Sequence, residues 1–271
     1  MAKELASSID NFPYKRLIDL LRHERKTCVI GYEFSWQSRI PHFDDILKGV
    51  WSKLTDQSKI NPFTSVNDYC LVMNWFSCRR QVIKHSKPSE SIKSLIQLQE
   101  ILNFKVASQC VDGLLSLNGI KNVYGLYGNV FQAKCYENGH ESSSWPTFEK
   151  VEQHIVCATC GSAVFPDVEM FGWNKKTSVR KALLDEHKNA EVLILIGADQ
   201  HLTPFDEKDF GALSRIPMIE LLEDGIVLRE GQSVYKATIN EMEKRSGEKL
   251  SSPSERSLNR TMKYLSQIYS I

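Results

Sequence analysis

The chain has 271 residues, of which 42% are hydrophobic and 25% are charged, a composition typical of one large globular domain or a domain with a small insert. Its 34 basic and 33 acidic residues nearly cancel, which excludes a general electrostatic attraction to nucleic acid or to an anionic membrane. The longest apolar run, Val192 to Ile196, is far too short to span a bilayer, and the first residues lack the apolar core of a secretory signal.

Predicted helices and strands alternate along the chain. The apolar pattern predicts a helix over residues 12–24, a strand from Thr27 to Tyr32 and helical segments over residues 41–101 that Pro62 and Pro88 interrupt. Further strands are predicted at residues 105–109, 122–127, 191–196, 217–222 and 226–228. This alternation indicates an α/β protein with a parallel sheet that is covered on both faces.

The C-terminal segment is predicted to be a linker followed by a helix. Residues 246–257 are rich in Ser, Gly and Pro, and Leu258, Met262, Leu265 and Ile268 then share one helical face. Two interpretations stay open, because this face can pack on its own domain or dock onto a partner.

The chain contains seven cysteines, and one pair has a spacing that suggests chemistry. An odd count in a chain of this size argues against a disulfide scaffold and favours reduced thiols in the cytoplasm. The pair is Cys157 and Cys160, separated by two residues, and this spacing is a usual half of a zinc site.

The second half of a zinc site is predicted at Cys135 and His140. Together the four residues give the pattern Cys-x4-His-x16-Cys-x2-Cys, a candidate Cys₃His site with a structural role, because a closed four-ligand site leaves no catalytic position. His154 is a rival for the fourth ligand, and a metal-free loop held by packing is the alternative.

Four colinear blocks resemble the motifs of the sirtuin family. They are Gly31 to Phe43 against GAGxSxxSGIPDFR, Ser108 to Leu114 against TQNxDxL, Val123 to Gly128 against xxLHG, and Cys157 to Gly161 with Phe165 to Trp173 against CxxCG followed by RPxVVxFGE. The segments Trp75 to Arg80 and Lys87 to Ser89 are similar to the bacterial branch of the family. The resemblance covers roughly residues 26 to 245.

The resemblance implies a Rossmann-like large domain and a small domain with a zinc-binding and a helical part, with NAD at the carboxyl ends of the strands. The expected large domain comprises residues 1–44, 101–134 and 165–245. Residues 45–100 are expected to form the helical part, 135–164 the zinc-binding-like module, and 246–271 the linker and the terminal helix.

The positions that the family uses for its cofactor are largely altered. The resemblance places a degenerate cofactor pocket at five residues: Gly31, Gln109, Cys110, Asp112 and Gly197. Asp112 is retained, whereas Cys110 stands in place of the asparagine that contacts the nicotinamide ribose. A thiol is a weak donor, and without a neighbouring base Cys110 is interpreted as a packing residue and not as a nucleophile.

Two substitutions add carboxylates where the resemblance implies a pyrophosphate. These are Glu33 in the glycine-rich block and Asp199 after the strand 191–196, and like charges about 4 Å apart repel by roughly 1 kcal/mol in water. Further replacements of family residues are Asp44, Leu222, Glu169 and Trp173. The substitutions argue against NAD binding.

Tyr127 stands where the family has its catalytic histidine. The phenol of tyrosine has a pKa of about 10, far from the value of about 6.5 for the imidazole that serves as general base. Losing a general base lowers a rate about 10² to 10⁴-fold. Phe76 and Arg79 lie where the bacterial branch carries a Tyr and an Arg that favour acidic acyl groups, and a paired or surface arginine is the alternative for Arg79.

These observations favour a sirtuin-fold protein without deacylase activity that acts as a binding or scaffold subunit for a protein partner. The alternative is an NAD-dependent enzyme with a rearranged site, such as a protein-lysine deacylase, an NAD hydrolase or an ADP-ribosyl transferase. A remodelled pocket for a cationic or uncharged ligand is a third hypothesis. No nucleic acid or membrane is expected as a partner, and the sequence allows a homo-oligomer.

Overall fold

A computed structural model describes residues 12–40, 49–50, 52–55, 65–142, 150–168, 189–198, 216–246 and 258–270. Its helices are α1 (Tyr14–Leu21), α2 (Glu33–Gln37), α3 (Val66–His85), α4 (Glu90–Leu102), α5 (Leu114–Leu117), α6 (Ile239–Ser246) and α7 (Leu258–Ser270). Its strands are β1 (Lys26–Ile30), β2 (Lys105–Ser108), β3 (Val123–Gly125), β4 (Gly128–Cys135), β5 (Val164–Val168), β6 (Val192–Ile196), β7 (Met218–Leu222), β8 (Gly225–Glu230) and β9 (Ser233–Thr238).

Seven strands form the main sheet in the order β3-β2-β1-β6-β7-β8-β9. The pairs from β3 to β7 are parallel, and β8 and β9 add two antiparallel strands at one edge. Every residue of β1 and β6 is buried, as the apolar runs in these segments predict. The strand order reverses between β1 and β6, which is where open parallel sheets bind their ligands. The predicted parallel sheet is confirmed.

Three strands were not predicted from the sequence. Strands β4 and β5 form a separate antiparallel pair, and β9 extends the main sheet beyond β8. The buried positions of β4 are Gly128, Val130, Ala133 and Cys135, and a register shift between Asn129 and Ala133 interrupts their alternation. The first helix is shorter than predicted, because α1 ends at Leu21 and β1 begins at Lys26.

The two long helices begin at serine caps. The side chain of Ser65 accepts a hydrogen bond from the Asp68 N–H at the start of α3, and that of Ser89 accepts one from the Ile92 N–H at the start of α4. The predicted break at Pro88 is confirmed, since it lies between the two helices.

The terminal helix α7 packs on its own chain. It contacts α4, β7 and α1, and its residues Met262 and Leu265 are completely buried. The hydroxyl of Thr261 donates a hydrogen bond to the Leu222 carbonyl at 2.7 Å. Of the two interpretations of this helix, the structure therefore supports packing on its own domain.

The predicted domain boundaries stay predictions. Among the helices of the described residues, none combines the length and the apolar character that a bilayer-spanning segment requires.

Candidate functional site

The carboxyl ends of β1 and β6 meet at two glycines. The Gly31 N–H donates to the Ile196 carbonyl at 3.0 Å, and a methyl group on Gly31 would lie 1.6 Å from the Gly197 carbonyl oxygen. Gly197 has a φ of +56°, in the left-handed region that favours glycine. The structure thus brings two predicted pocket residues together at the point where the strand order reverses.

Cys110 follows β2 and lies against the loop after β1. Its sulfur lies 3.1 Å from the Ser35 hydroxyl oxygen and donates a hydrogen bond to the Gly31 carbonyl at 3.3 Å. Burial, followed by the charge of Asp112, raises the pKa of the thiol, so it stays protonated at neutral pH. A protonated thiol is a poor nucleophile, and this supports the packing interpretation of Cys110.

Asp112 is 3% exposed, and the chain itself binds both of its carboxylate oxygens. One oxygen accepts the Leu114 N–H at 2.9 Å, at the start of α5, and the other accepts the Ser35 hydroxyl. Burial raises the pKa of Asp112, whereas the hydrogen bonds from Ser35 and Leu114 and the charge of Arg79 lower it. These contacts give Asp112 a structural role that does not depend on a cofactor.

Arg79 is buried on α3, with an exposed fraction of 8%. Its guanidinium lies 5.8 Å from the centre of the Trp75 ring, and burial lowers its pKa while the charge of Asp112 raises it. Arg79 is therefore a buried arginine beside Trp75 whose charge interacts with that of Asp112.

Gln109 directly precedes Cys110 in the chain, and Tyr127 lies between β3 and β4. The backbone N–H of Gln109 donates to the Ile30 carbonyl at 2.8 Å, and its side chain is buried. Tyr127 is half-buried in the turn between β3 and β4 and packs against the apolar layers on both faces of the sheet.

A cavity of about 360 Å³ opens beside Cys110 and Asp112. It continues between α5, β3 and β4, where Asn129, Gln132 and Asp167 line it. Asp167 is buried and pairs with Lys134 at 3.1 Å. The sequence did not point to these three residues, nor to Ser35, because their roles depend on contacts between distant segments.

Other predicted positions lie outside the described residues: Asp44, Glu169, Trp173 and Asp199. Glu33 is the first residue of α2, directly after Tyr32, and Leu222 is the last residue of β7.

Two tight turns bring four potential metal ligands together. In the first, the Cys135 N–H donates to the His140 carbonyl at 2.9 Å, and in the second the Cys157 N–H donates to the Ser162 carbonyl at 2.7 Å. A glycine with positive φ completes each turn, Gly139 at +66° and Gly161 at +73°.

The ligand atoms of Cys135, His140, Cys157 and Cys160 all lie within 4.8 Å of one another. The sulfur atoms of Cys135 and Cys160 are 3.7 Å apart, and His140 Nδ1 lies 3.5 Å from the Cys135 sulfur and 3.7 Å from the Cys157 sulfur. A tetrahedral zinc with Zn–S bonds of about 2.3 Å requires sulfur atoms about 3.8 Å apart. These residues therefore fit a structural metal ion.

The electrostatics of the cluster favour thiolates at Cys157 and Cys160. The backbone N–H groups of Thr159 and Cys160, with the side chain of His140, lower the pKa of Cys157 to about 6. Hydrogen bonding, first from Asn138, lowers the pKa of Cys160, whereas burial raises that of Cys135. Metal ligation requires deprotonated thiols, so this arrangement suits a metal ion.

His154 is not part of the cluster. Its ring packs edge-on against Tyr69, with the ring centres 4.6 Å apart. Of the two candidate fourth ligands, the structure selects His140. All seven cysteines are free, as the odd count predicted.

The strand order is that of a Rossmann-like protein, and the Cys₃His cluster adds a module of the kind that binds a structural metal ion. The model of the Sir2 family matches residues 31–204, and the chain belongs to this family. The sequence resemblance to sirtuins is thereby confirmed.

Two similar bacterial proteins are named as NAD-dependent deacylases. The NAD-dependent protein deacylase of Aquifex aeolicus is 30% identical over 183 residues, which cover 67% of this chain and 76% of the relative. NAD-dependent protein deacylase 1 of Caldanaerobacter subterraneus is 29% identical over 207 residues, covering 74% of this chain and 84% of the relative.

Solved structures show the same fold. A crystal structure of a Sir2 homologue–NAD complex superposes with a TM-score of 0.61 at 21% identity, over 78% of this chain and 82% of that one. A Sir2 homologue–ADP-ribose complex gives a TM-score of 0.59 at 22% identity, over 78% of this chain and 85% of that one.

Proposed function

We propose that this Sir2-family chain acts by binding a protein partner and not by NAD-dependent deacylation. The observation that carries the proposal is the position of the Cys110 sulfur, between the Ser35 hydroxyl and the Gly31 carbonyl. A thiol with these two neighbours cannot replace the donors and the acceptor of the asparagine amide that the family uses to contact the nicotinamide ribose.

Two further features support the proposal. Asp112 is bound by Ser35 and Leu114 and helps to start α5, so its retention has a structural reason that is independent of NAD. Tyr127 offers a phenol where the family has its general base. Most of the replacements fall on polar and glycine positions, while the fold remains that of the family.

The acidic substitutions weaken the case for a dinucleotide. Glu33 begins the short helix after β1, and Asp199 follows the segment after β6. The sequence resemblance places both carboxylates where family members hold a pyrophosphate, and like charges repel more strongly when they are shielded from water.

The second candidate function is an NAD-dependent enzyme with a rearranged site. The names of the bacterial relatives, NAD-dependent protein deacylases, favour it, and so does the cavity of about 360 Å³ beside Asp112. Not every NAD-cleaving reaction requires the histidine base, so a hydrolase or transferase fits this alternative as well as a deacylase.

We also propose that Cys135, His140, Cys157 and Cys160 hold a structural zinc ion. The ion would join the turn after β4 to the turn before β5 and would take no part in a reaction, because four protein ligands fill its coordination.

We place the protein in the cytoplasm, because seven free thiols suit a reducing compartment. Fractionation of the host with antibody detection tests this placement, and recovery from a secreted fraction would contradict it.

Calorimetry at millimolar NAD, with nicotinamide release measured on an acyl-lysine peptide, tests the main proposal. We expect no saturable heat of binding when NAD is titrated into the protein, and no release of nicotinamide. The double variant Cys110→Asn/Tyr127→His restores two family residues, and a gain of NAD binding in this variant alone would support the role that we assign to these positions. Nicotinamide release by the unmodified chain would refute the proposal and favour the enzyme.

A further inference from the structure

A second cavity, of about 190 Å³, lies at the opposite end of the main sheet from Cys110 and Asp112. Because β1, β2 and β6 are parallel neighbours, their first residues share one edge, and this cavity opens there. It is smaller than the roughly 300–1,000 Å³ of pockets that hold drug-sized ligands, which limits it to a small group.

Lys26, the first residue of β1, lines this cavity and is only 6% exposed. Its ammonium donates to the His23 carbonyl, and within the described ranges no carboxylate lies at salt-bridge distance from it. Lysine is almost never buried unless it is paired, because its charge loses hydration. Burial lowers the pKa of Lys26, although the charges of Glu24 and Glu191 raise it. An anion in the cavity would supply the counter-charge that Lys26 lacks within the described ranges.

The other charges around the cavity also favour an anion. Arg25 and Lys105 line it with Lys26, and Glu24 is the one carboxylate among its described lining residues. The nearby Glu191 carboxylate already binds Arg25 at 2.5 Å and His23 at 3.3 Å. The three cations Arg25, Lys26 and Lys105 therefore outnumber the two carboxylates Glu24 and Glu191 around the cavity.

Two asparagines add neutral donors at the mouth of the cavity. Asn103 and Asn122 line it with φ values of +50° and +52°. Asparagine tolerates this conformation better than most residues, so the backbone explains why these two positions are asparagine. Their carboxamide N–H groups are nevertheless suited to an oxyanion.

We propose that this cavity binds a small oxyanion, a phosphoryl or carboxylate group, with Lys26 as its main ligand. The site lies beyond the proposed function, because it is at the far end of the sheet and shares no residue with the pocket at Asp112. Binding there would stabilise the folded chain through the junction of β1, β2 and β6.

Thermal unfolding of the full chain in increasing sodium phosphate tests the proposal, with sodium chloride at equal ionic strength as the reference. We expect the Tm to rise with saturation, by roughly 3–6 °C at a tenfold excess of phosphate over its Kd. Lys26→Met is expected to lose this rise. Lys15→Met removes an exposed lysine of α1 and is expected to retain it.

Asn103→Asp is a second variant in case Lys26→Met does not fold. Aspartate also tolerates positive φ, so the fold should persist, while the added carboxylate should weaken phosphate binding at least about tenfold. Parallel titrations with acetate distinguish the two ligand sources, and a saturable rise with either anion supports the site. No saturable rise in the unmodified chain, or an equal rise in Lys26→Met or Asn103→Asp, would overturn the proposal.

Discussion

Gly31 and Gly197 touch where β1 and β6 end, so closely that a methyl group on Gly31 would lie 1.6 Å from the Gly197 carbonyl oxygen. It would also lie 2.8 Å from the Ala198 Cα. Both atoms belong to the backbone, so no side-chain rotation relieves the overlap. The junction at the reversal of the strand order therefore has no room for any residue but glycine at position 31.

Gly31→Ala is expected to destabilise the fold by about 2 kcal/mol or more, because backbone must move to admit the methyl group. Denaturant unfolding followed by circular dichroism measures this. Gly49→Ala is the matched control, since a methyl group at Gly49 meets no atom of the described residues within 4 Å. Equal midpoints for Gly31→Ala and the unmodified chain would contradict the close contact.

The sequence predicted those features that depend on a continuous run of residues. The apolar runs of β1 and β6 and the spacing of Cys157 and Cys160 are local, and both features are confirmed. The choice between His140 and His154 could not be made from spacing, because the packing of His154 on Tyr69 decides it.

The neighbours of Cys110 could not be predicted from the sequence, because they come from distant segments of the chain. Ser35 and Cys110 are 75 residues apart, and only the pairing of β1 with β2 brings them to one edge of the sheet. Gln109 was assigned to the pocket by resemblance, and its backbone N–H proves to extend the contact between β1 and β2.

Purified protein is expected to contain one zinc ion per chain, and Cys157→Ser is expected to lose most of it. Elemental analysis measures the content, and Cys78→Ser, an exposed cysteine outside the cluster, is the control. Chelation should lower the Tm, because the ion joins two turns that lie far apart in the chain. Metal-free wild-type protein, or an unchanged metal content in Cys157→Ser, would reject the site.

Acidification is expected to release the metal. The pKa of Cys157 is lowered to about 6, so its thiolate persists at neutral pH, and protons compete for it as the pH falls through that value. A depressed thiol pKa stabilises the fold above the pKa of the unfolded chain, and this stabilisation is lost as the pH falls through about 6. Metal content after dialysis at pH 7.5 and at pH values down to about 5 measures the release. Full retention at the lowest pH would contradict this expectation.

Tyr69→Phe is expected to lower the stability of the contact between α3 and the segment around the metal cluster, residues 150–168. The Tyr69 hydroxyl donates to the Val164 carbonyl at 2.8 Å and accepts the Ile155 N–H at 3.2 Å, so its loss leaves two backbone groups without this partner. Such a loss costs about 1–3 kcal/mol. Chemical denaturation measures it, and Tyr124→Phe, on an exposed tyrosine of β3, should change the midpoint little. Equal effects of the two substitutions would argue against the bridge.

Leu265→Ala tests whether α7 belongs to the folded domain. Leu265 is completely buried, and its helix contacts α4, β7 and α1. Removing a buried leucine side chain costs about 2–5 kcal/mol, through lost burial and the cavity that remains. Gln267→Ala, on the exposed side of the same helix, should leave stability nearly unchanged. If α7 instead served as a docking element that leaves the domain, Leu265→Ala would weaken partner binding while the unfolding midpoint stayed the same. We expect a large fall in the unfolding midpoint that is the same with and without a partner. The hydrogen bond from Thr261 to the Leu222 carbonyl and the complete burial of Leu265 both hold α7 on the domain.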